Sequence, residues 1–453
     1  MSDWWQFQRE HPRRWSPSKL AKNGGARLLE VLEEYHRSER LAPGELAAQQ
    51  LELLRAVAAH AAGHSPDFAA RLRAANLGVD ELVAPGGLAR LPPLTRRDLV
   101  AAGDGLFCAV TPTGHGRTSP TSTSGSTGEP VTVRRTEFCQ LHWLAYTLRE
   151  HLWHRRDFSG RLAVSRANIT RPATGVEWGP PASLVFKTGP LATMPATRPV
   201  GELVRWLVNF DPGSLLMLPA SLAAVVAQLE AEGLRLGRLR EVRTVSETVP
   251  PRLRDAVRRV LGAEIADTYS SQEFGIMATQ CPEAGAYHVS ETILLEVVDP
   301  AGRPCAPGAI GRILVTDLLN FATPLIRYEI GDYAEVGAPC PCGRGLPVIR
   351  RFVGRERNLV LLPDGTRHWP TVGFHDWAEV FPVRQFQFVQ TDRHHLTARL
   401  SAAGRPGPEQ EARLTAIIQR ALGSPFAITY EWTDQPLPRG PGGKFEEFRC
   451  EAG

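Results

Sequence analysis

The sequence predicts an α/β fold in which a large domain, with a mostly parallel sheet and a small antiparallel subdomain, precedes a small carboxy-terminal domain. Three observations predict it: apolar residues recur at helical spacing near the amino terminus, strands and helices alternate in the middle, and short paired strands follow. The chain has 453 residues, which is too long for one ordinary domain. We therefore expect two or three domains.

The amino-terminal region is predicted to be helical from about residue 26 to residue 77. Four apolar residues there recur at spacings of three and four: Leu51, Leu54, Ala58 and Ala61. An apolar stripe at this spacing is typical of a helix that packs against a core. We interpret these helices as an accessory packing layer.

Strands and helices alternate between residues 214 and 267. The predicted strands are 214–218, 243–246 and 263–267, and the predicted helices are 220–232 and 250–261, closed by Gly233 and Gly262. This order predicts parallel strands covered by helices, and ligands bind beyond the carboxyl ends of such strands. We therefore expect a binding site at the loop predicted after the third strand, residues 268–275.

Antiparallel pairing is predicted further along the chain. Strands at 294–298 and 311–316 are joined through a turn at 300–302, and a candidate domain boundary lies at 353–355. The predicted divisions are a helical region of the large domain at 1–105, a core with metal-binding loops at 106–353, and a carboxy-terminal domain at 354–453.

The composition excludes several classes of protein. Apolar residues make up 43% and charged residues 22%, which is the balance of a globular protein. No run approaches 18 uncharged apolar residues, and Met1–Trp5 lacks the pattern of a secretory signal, so we expect a cytoplasmic protein without a membrane span. The net charge of +4 comes without a basic run, which argues against nucleic-acid binding. Seven cysteines exclude a fully paired disulfide framework, and free thiols or a metal site fit better.

A run of hydroxyl and glycine residues occupies positions 121–128 and is followed by Glu129 and Pro130. Such a run cannot form a buried strand or a stable helix, and its N–H groups and hydroxyls suit phosphate oxygens. It lacks the Gly-Lys-Ser/Thr of a Walker loop. From the residues alone, a flexible Ser/Gly linker is an equal alternative.

Lysine is rare in this chain, with four residues against 48 arginines: Lys19, Lys22, Lys187 and Lys444. Where arginine is the habitual cation, a remaining lysine can be one that a planar guanidinium cannot replace. Lys444 ends a Gly-rich loop and is the lysine of most interest, although a mobile lysine in such a loop is the ordinary alternative.

Three thiols and one imidazole form a second candidate site: Cys281, His288, Cys340 and Cys342. Thiolates and imidazoles are ligands that a tetrahedral zinc ion prefers, and four filled positions indicate a structural ion. The Cys-x-Cys spacing is tighter than usual, so reduced thiols in adjoining loops are the alternative.

Several motifs in order resemble those of the adenylate-forming superfamily, and most closely its phenylacetate–CoA ligase branch. The run Thr123–Pro130 is similar to the superfamily's phosphate loop, and Leu91-Pro92-Pro93-Leu94-Thr95 is similar to a phrase of that branch. The other matching segments are Ser246–Thr248, Tyr269–Glu273, Pro324–Asp332, Gly354-Arg355 and Lys444. Six ordered superfamily motifs, apart from the phrase of the branch, are a far more specific signal than any one of them.

The resemblance implies a role for each matching residue. Phosphate contacts fall to Thr123, Ser124, Gly125, Ser126, Thr127 and Gly128. Adenine contacts fall to Ser246, Glu247, Thr248 and Tyr269, with Ser270 and Gln272 in the same segment as Tyr269. Ribose contacts fall to Asp332 and Arg355. Glu273 is implied to hold magnesium, and Lys444 is implied to be catalytic. Some members of the branch also carry a zinc ion at a phrase similar to Cys340–Arg344.

Three positions depart from the superfamily's pattern. Ser270 stands where glycine is usual, Gln272 where threonine is usual, and Arg357 where the hinge commonly has aspartate. The glutamine amide can still hydrogen-bond a phosphate oxygen. The charge reversal at Arg357 puts the second half-reaction in doubt, because the resemblance implies a small α+β domain that rotates about this hinge.

The activity that the resemblance implies is ATP- and Mg²⁺-dependent conversion of a carboxylate, most closely an aryl or arylacetic acid, into an acyl-AMP, with CoA as the acceptor. A carrier protein or an amine is an alternative acceptor. A non-catalytic protein that binds nucleotide and zinc is an alternative of another class. Four aromatic residues are candidates for an aryl pocket or for ordinary core: Trp143, Trp178, Phe186 and Phe274. The sequence leaves the oligomeric state open, a dimer included.

Overall fold

The computed structural model describes residues 25–122, 131–355, 358–368, 380–438, 445 and 447–452. Its first part is helical, as predicted. The helices are α1 (Gly25–Ser38), α2 (Pro43–His64), α3 (Pro66–Ala74), α4 (Val79–Val83), α5 (Gly87–Arg90) and α6 (Arg96–Ala102). Leu54, Ala58 and Ala61 of α2 are buried in one core, whereas Leu51, predicted in the same stripe, is 40% exposed.

A hairpin and a long helix follow. They are β1 (Thr118–Ser122), β2 (Thr132–Thr136) and α7 (Glu137–Trp153). The strands pair antiparallel from Thr118 opposite Thr136 to Ser122 opposite Thr132. The predicted phosphate-loop residues 123–130 stand between these two strands in the sequence and lie outside the described residues.

The middle of the chain alternates strands with helices. Its elements are β3 (Leu162–Arg166), β4 (Ala173–Gly175), α8 (Ala182–Val185), β5 (Leu191–Pro195), α9 (Val200–Phe210), β6 (Ser214–Leu216), α10 (Pro219–Ala231), β7 (Glu241–Val245), α11 (Pro251–Leu261) and β8 (Glu264–Ser271). Strands β5, β3, β6, β7 and β8 are adjacent in that order and parallel, which confirms the predicted parallel sheet. Gly262 ends α11 with a φ of 61°, a backbone conformation that suits glycine.

The third predicted strand is longer than expected. It was predicted to end at Asp267 with a loop at 268–275, but β8 continues to Ser271. Thr268 to Ser271 pair with the antiparallel strand β9, which begins at Gly275 and supplies their hydrogen-bond partners. The segment that carries Tyr269 and Ser270 is therefore the end of a strand, and only a tight turn separates it from β9.

Antiparallel strands extend the same sheet. They are β9 (Gly275–Gln280), β10 (Tyr287–Val289), β11 (Ile293–Val298), β12 (Ile310–Asp317), β13 (Tyr328–Val336) and β14 (Val348–Arg355). In the described part of the chain, one sheet of twelve strands has the order β11-β12-β13-β14-β10-β9-β8-β7-β6-β3-β5-β4. The antiparallel subdomain is thus continuous with the parallel part.

The last part of the chain has its own core. Its elements are β15 (Val360–Leu361), β16 (Arg367–His368), β17 (Val383–Gln390), β18 (His395–Ala402), α12 (Pro408–Leu422), β19 (Ala427–Thr433) and β20 (Phe448–Cys450). Strands β19-β18-β17-β20 form a sheet, and its residues Phe388, Leu400 and Phe448 share a buried core with Leu414 and Ile418 of α12. The predicted fold class, with a small α+β unit at the carboxy terminus, is confirmed. Among the helices described, none has the length and apolar character that crossing a membrane requires.

Candidate functional site

The loop after β7 contains the residues predicted to contact adenine. Ser246 has a φ of 73°, a left-handed conformation that is uncommon for a serine and turns the chain sharply at the carboxyl end of the strand. Ser246 and Thr248 are exposed. The Glu247 carboxylate accepts a hydrogen bond from the backbone N–H of Ala220 at 2.9 Å and one from Phe445 at 3.4 Å. This loop therefore joins the start of α10 to the residue that follows Lys444 in the sequence.

Tyr269, Asp332 and Arg355 meet although they come from three strands. The Tyr269 hydroxyl donates to Asp332 Oδ2 at 2.7 Å, and Arg355 Nε donates to Asp332 Oδ1 at 3.1 Å. Burial, followed by the charge of Asp332, raises the pKa of Tyr269 well above its usual range, so the hydroxyl stays a donor. The sequence placed these residues in one site, and the structure brings all three together.

Phe352 is a neighbour of this group that the motifs did not single out. Its ring stacks on Tyr269 with centroids 3.7 Å apart and an interplanar angle of 17°. One face of the ring predicted to stack on adenine is therefore covered by protein, which leaves the opposite face for a ligand. Phe352 lies two residues before Gly354-Arg355, and no local pattern distinguishes it from an ordinary strand residue.

Glu273 lies in the turn between β8 and β9. It is only 7% exposed, whereas Gln272 beside it is exposed. Among the described residues, its carboxylate has no hydrogen-bond or ion-pair partner. The negative charge of Glu273 still acts on its neighbours, because it contributes, after burial, to raising the pKa of Tyr328 to about 12. A buried carboxylate without a cationic partner is unusual in a protein and typical of an ion-binding position.

Eight of the predicted residues cannot be placed. Thr123, Ser124, Gly125, Ser126, Thr127, Gly128, Arg357 and Lys444 lie outside the described residues.

The four predicted metal ligands converge at a second place. Cys281 follows β9, His288 is in β10, and Cys340 and Cys342 lie between β13 and β14. Their ligand atoms all lie within 4.8 Å of one another. Cys340 Sγ is 3.8 Å from Cys281 Sγ, and Cys342 Sγ is 3.2 Å from His288 Nε2. The cluster forms because β10 pairs with both β9 and β14.

A buried ionic network supports the metal-ligand cluster, and sequence reasoning missed it. The Arg344 guanidinium lies 4.2 Å above the Trp153 ring and 3.7 Å from Glu39, and Trp153 packs edge-on against His288 with centroids 5.8 Å apart. Deeper in the fold, Arg149 pairs with Glu291 at 2.6 Å. These partners are far apart in the sequence, so no local pattern indicates the pairing.

Apolar side chains line the carboxyl ends of the parallel strands. Ala196, Leu216, Leu218 and Val245 form a small cluster, hereafter the crevice cluster, that is separate from the larger cores. Each member is between 5% and 8% exposed, and the partly buried Val164 of β3 packs against them. The cluster lies at the edge where open α/β sheets bind ligands.

The aromatic candidates divide between core and surface. Trp178 and Phe186 are buried in a core with Phe158, whose ring stacks on Phe186 with centroids 4.5 Å apart. Phe274 is 4% exposed and belongs to another core, and Trp143 on α7 is 37% exposed. None of the four belongs to the crevice cluster.

Comparisons with known proteins agree with this architecture. No family model matches the chain. The phenylacetate-coenzyme A ligase of Aromatoleum evansii is 23% identical over 357 residues, which cover 74% of this chain and 75% of that protein. The phenylacetate-coenzyme A ligase of Thermus thermophilus is 30% identical over 126 residues, and this match spans only 28% of its length. A solved structure of 2-hydroxyisobutyryl-CoA ligase in the postadenylation state with 2-HIB-AMP superposes with a TM-score of 0.72 at 17% identity, covering 92% of this chain and 91% of that one.

The fold is that of the acyl-CoA ligases of the adenylate-forming superfamily. Within that superfamily the chain is similar in sequence to the phenylacetate-coenzyme A ligases. The resemblance predicted from the motifs is confirmed.

Proposed function

We propose that this protein is an AMP-forming acid–CoA ligase. A carboxylate oxygen of the substrate attacks the α-phosphorus of ATP, the bond to pyrophosphate breaks, and the acyl-AMP then passes its acyl group to the CoA thiol. The observation that carries the proposal is the convergence of Glu247, Glu273 and the Tyr269–Asp332–Arg355 group at one edge of the large sheet.

The Tyr269–Asp332–Arg355 group suits a nucleoside. Asp332 presents a carboxylate that Tyr269 and Arg355 hold in a fixed orientation, and a carboxylate can accept from two adjacent ribose hydroxyls. The free face of Tyr269 and the exposed Ser246–Thr248 backbone would then enclose adenine. The triphosphate would then meet the phosphate contacts that the resemblance assigns to residues 123–128.

Magnesium fits the position of Glu273. The donor is a carboxylate oxygen, the ligand type that Mg²⁺ prefers, and it is buried without a cationic partner among the described residues, which leaves a negative charge to be offset. When bound, the ion supplies charge neutralisation to the phosphates as pyrophosphate leaves. Glu273 itself orients that charge from the rigid β8–β9 turn.

Lys444 would supply the second positive charge to the reacting α-phosphate. Phe445, the next residue, donates its N–H to Glu247 in the proposed adenine loop, which supports assigning Lys444 to the same site. The hydroxyls and N–H groups of Thr123–Gly128 would hold the phosphate oxygens. A compact ammonium suits a single phosphate oxygen better than a planar guanidinium does.

A structural zinc ion fits the cluster of Cys281, His288, Cys340 and Cys342. The spacing of the ligand atoms suits a tetrahedron around one ion, with His288 Nε2 facing the thiols. Four protein ligands leave no open position for a substrate. The ion would tie the β9–β10 hairpin to the β13–β14 loop.

The proposed acid is an aryl or arylacetic acid, because both curated relatives are phenylacetate-coenzyme A ligases by name. The crevice cluster gives its carbon skeleton an apolar surface. CoA is favoured over a carrier protein or an amine because the similar proteins are CoA ligases by name.

The test is pyrophosphate release across a panel of aromatic and aliphatic carboxylates, with and without CoA, with products identified by mass. The proposal predicts acid-dependent pyrophosphate and an acyl-CoA product. Acyl-AMP that persists with CoA present would contradict CoA as the acceptor. Absence of pyrophosphate with every acid would contradict the enzymatic proposal.

A further inference from the structure

Arg166 lies at the ligand-binding edge of the sheet and has no side-chain partner among the described residues. It is the last residue of β3, it is partly buried, and its neighbours across the sheet are β5 and β6. Within the part of the chain that the structure describes, its side chain makes no hydrogen bond or ion pair. Burial lowers the pKa of Arg166, so the site holds a partly desolvated positive charge that no described residue offsets.

The acids that surround Arg243, a neighbour of Arg166 in charge, are already paired with arginines. Glu150 pairs with Arg243 at 2.8 Å and with Arg156, and Glu241 also pairs with Arg156. Two carboxylates therefore face two guanidinium groups, and Arg166 adds a third positive charge. Its charge reaches Arg243, because Arg166 is among the cations that lower the pKa of Arg243 after burial. The local charge balance favours an additional anion beside Arg166.

The position of β3 indicates which part of a ligand Arg166 would meet. The strand order β8-β7-β6-β3 places it two strands from the proposed adenine loop and three from Glu273. At about 4.8 Å per strand, these separations are roughly 10 and 14 Å. Leu216, Leu218 and Val245 of the crevice cluster lie on or directly after β6 and β7, between Arg166 and Glu273. Arg166 is therefore too far away to serve the reacting carboxylate and is placed for the opposite end of the acid.

We propose that Arg166 determines substrate specificity by binding a second anionic group of the acid, so that the substrate is an acid with a carboxylate at each end of an apolar spacer. The crevice cluster packs against the spacer, and the guanidinium pairs with the distal carboxylate through two parallel N–H donors. This inference rests on the proposed function and adds to it a second carboxylate on the acid, while the test leaves open whether the spacer is aromatic or aliphatic.

The test uses matched acids that differ only in the distal carboxylate: 1,4-phenylenediacetate against phenylacetate, and adipate against hexanoate. Acid-dependent exchange of pyrophosphate into ATP gives kcat/KM for each acid. The wild-type chain should prefer the dianion of each pair. Arg166→Gln should lower kcat/KM for the dianion about 10- to 100-fold and leave the monoanion unchanged, because a hydrogen-bonded charge is lost only for the dianion. Arg166→Lys should keep part of the preference.

Arg238→Gln is the matched control, since Arg238 is 67% exposed and pairs with Asp211 at the opposite edge of the sheet. This variant should leave kcat/KM for the dianions and for the monoanions unchanged. An equal loss of kcat/KM for dianion and monoanion in Arg166→Gln would overturn the inference and leave the proposed function intact. A wild-type preference for monoanions that Arg166→Gln does not alter would do the same. Absence of exchange with all four acids, and with the wider panel, would overturn both.

Discussion

Asp332 accepts hydrogen bonds from two side chains that belong to different strands, Tyr269 of β8 and Arg355 of β14. Tyr269→Phe removes one donor and keeps the ring that stacks on Phe352. We expect kcat/KM for ATP to fall about 10-fold, because a hydrogen bond to a charged group contributes about 1.5–3 kcal/mol. Steady-state pyrophosphate release at varied ATP measures it.

Tyr430→Phe is the control, since its hydroxyl contacts Thr415 at 2.9 Å within the small carboxy-terminal unit. It should leave kcat/KM for ATP unchanged. An equal loss in both variants would mean that the Tyr269 hydroxyl has no specific part in nucleotide binding.

His142 gives a pH dependence of stability at the level of one residue. Burial lowers its pKa to about 4, and Tyr35 donates to its Nδ1 at 2.5 Å. The unfolded chain, with a histidine pKa near 6.5, binds this proton first as the pH falls. His142 should therefore reduce the free energy of unfolding by about 2 kcal/mol between pH 7 and pH 5.

Urea unfolding at both pH values tests this, with His142→Gln predicted to remove that part of the pH dependence. The exposed His394 provides the control variant, His394→Gln, which should keep it. A His142→Gln chain with the wild-type pH dependence would contradict the assignment.

Residues in continuous motifs could be predicted from the sequence, and residues that matter through distant partners could not. Tyr269 and Asp332 stand in recognisable segments, and the structure joins them. Phe352 and Arg166 have no local signal, because their importance depends on a ring and on charges contributed by other strands.

The proposed zinc ligands join elements that the sequence separates. If one ion ties the β9–β10 hairpin to the β13–β14 loop, Cys340→Ser should lower the metal content below the one zinc per chain expected for the wild type. The melting temperature should fall by several degrees, because binding free energy contributes to folding. Elemental analysis and thermal unfolding of the purified protein measure both.

Cys305→Ser is the control, since Cys305 lies outside the metal-ligand cluster. It should retain zinc. A wild-type chain that contains no zinc after purification without chelators would leave the cluster as reduced thiols.

At the scale of elements, the local sequence pattern predicted whether a segment is a helix or a strand better than it predicted where the segment ends. The helix at residues 251–261 and its glycine end were predicted within one residue. The predicted end of β8 was wrong because its last residues pair with β9, and no periodicity in residues 268–271 indicates that pairing.

At the scale of the whole molecule, helix α11 of the large domain contacts the small carboxy-terminal unit. Arg252 at the start of α11 pairs with Glu447 and lies 5.1 Å from the centre of the Phe386 ring. Burial raises the pKa of Glu447, and Arg252 opposes that shift. Removing Arg252 would leave the partly buried Glu447 without this partner, an unfavourable arrangement.

Arg252→Ala should therefore destabilise this orientation of the small unit. In it, Phe445 contacts the proposed adenine loop, so acyl-AMP formation should slow about 10-fold, while transfer from preformed acyl-AMP to CoA should change less. Single-turnover measurements of the two half-reactions separate them. Arg258→Ala, on the same helix but paired with Glu264 inside the large domain, is the control. Equal slowing of both half-reactions would contradict a role in orientation.

The fold class could be predicted from the sequence, but the single continuous sheet could not. It is joined by pairings such as Tyr287 with Ile349, which are far apart in the chain. Local patterns carry no information about such partners.

The most direct measurement is acid-dependent exchange of labelled pyrophosphate into ATP by the wild type, Lys444→Ala and Lys187→Ala. Lys187→Ala is the control, because it removes the same kind of cation from an exposed position. If ATP reacts between Glu273 and Lys444, the wild type and Lys187→Ala should exchange equally. Lys444→Ala should then lose roughly 100-fold or more, because positive charge at the reacting phosphate is removed. Exchange by Lys444→Ala at the wild-type rate would contradict the reaction of ATP between Glu273 and Lys444. Absence of exchange in all three chains with every acid would contradict it as well.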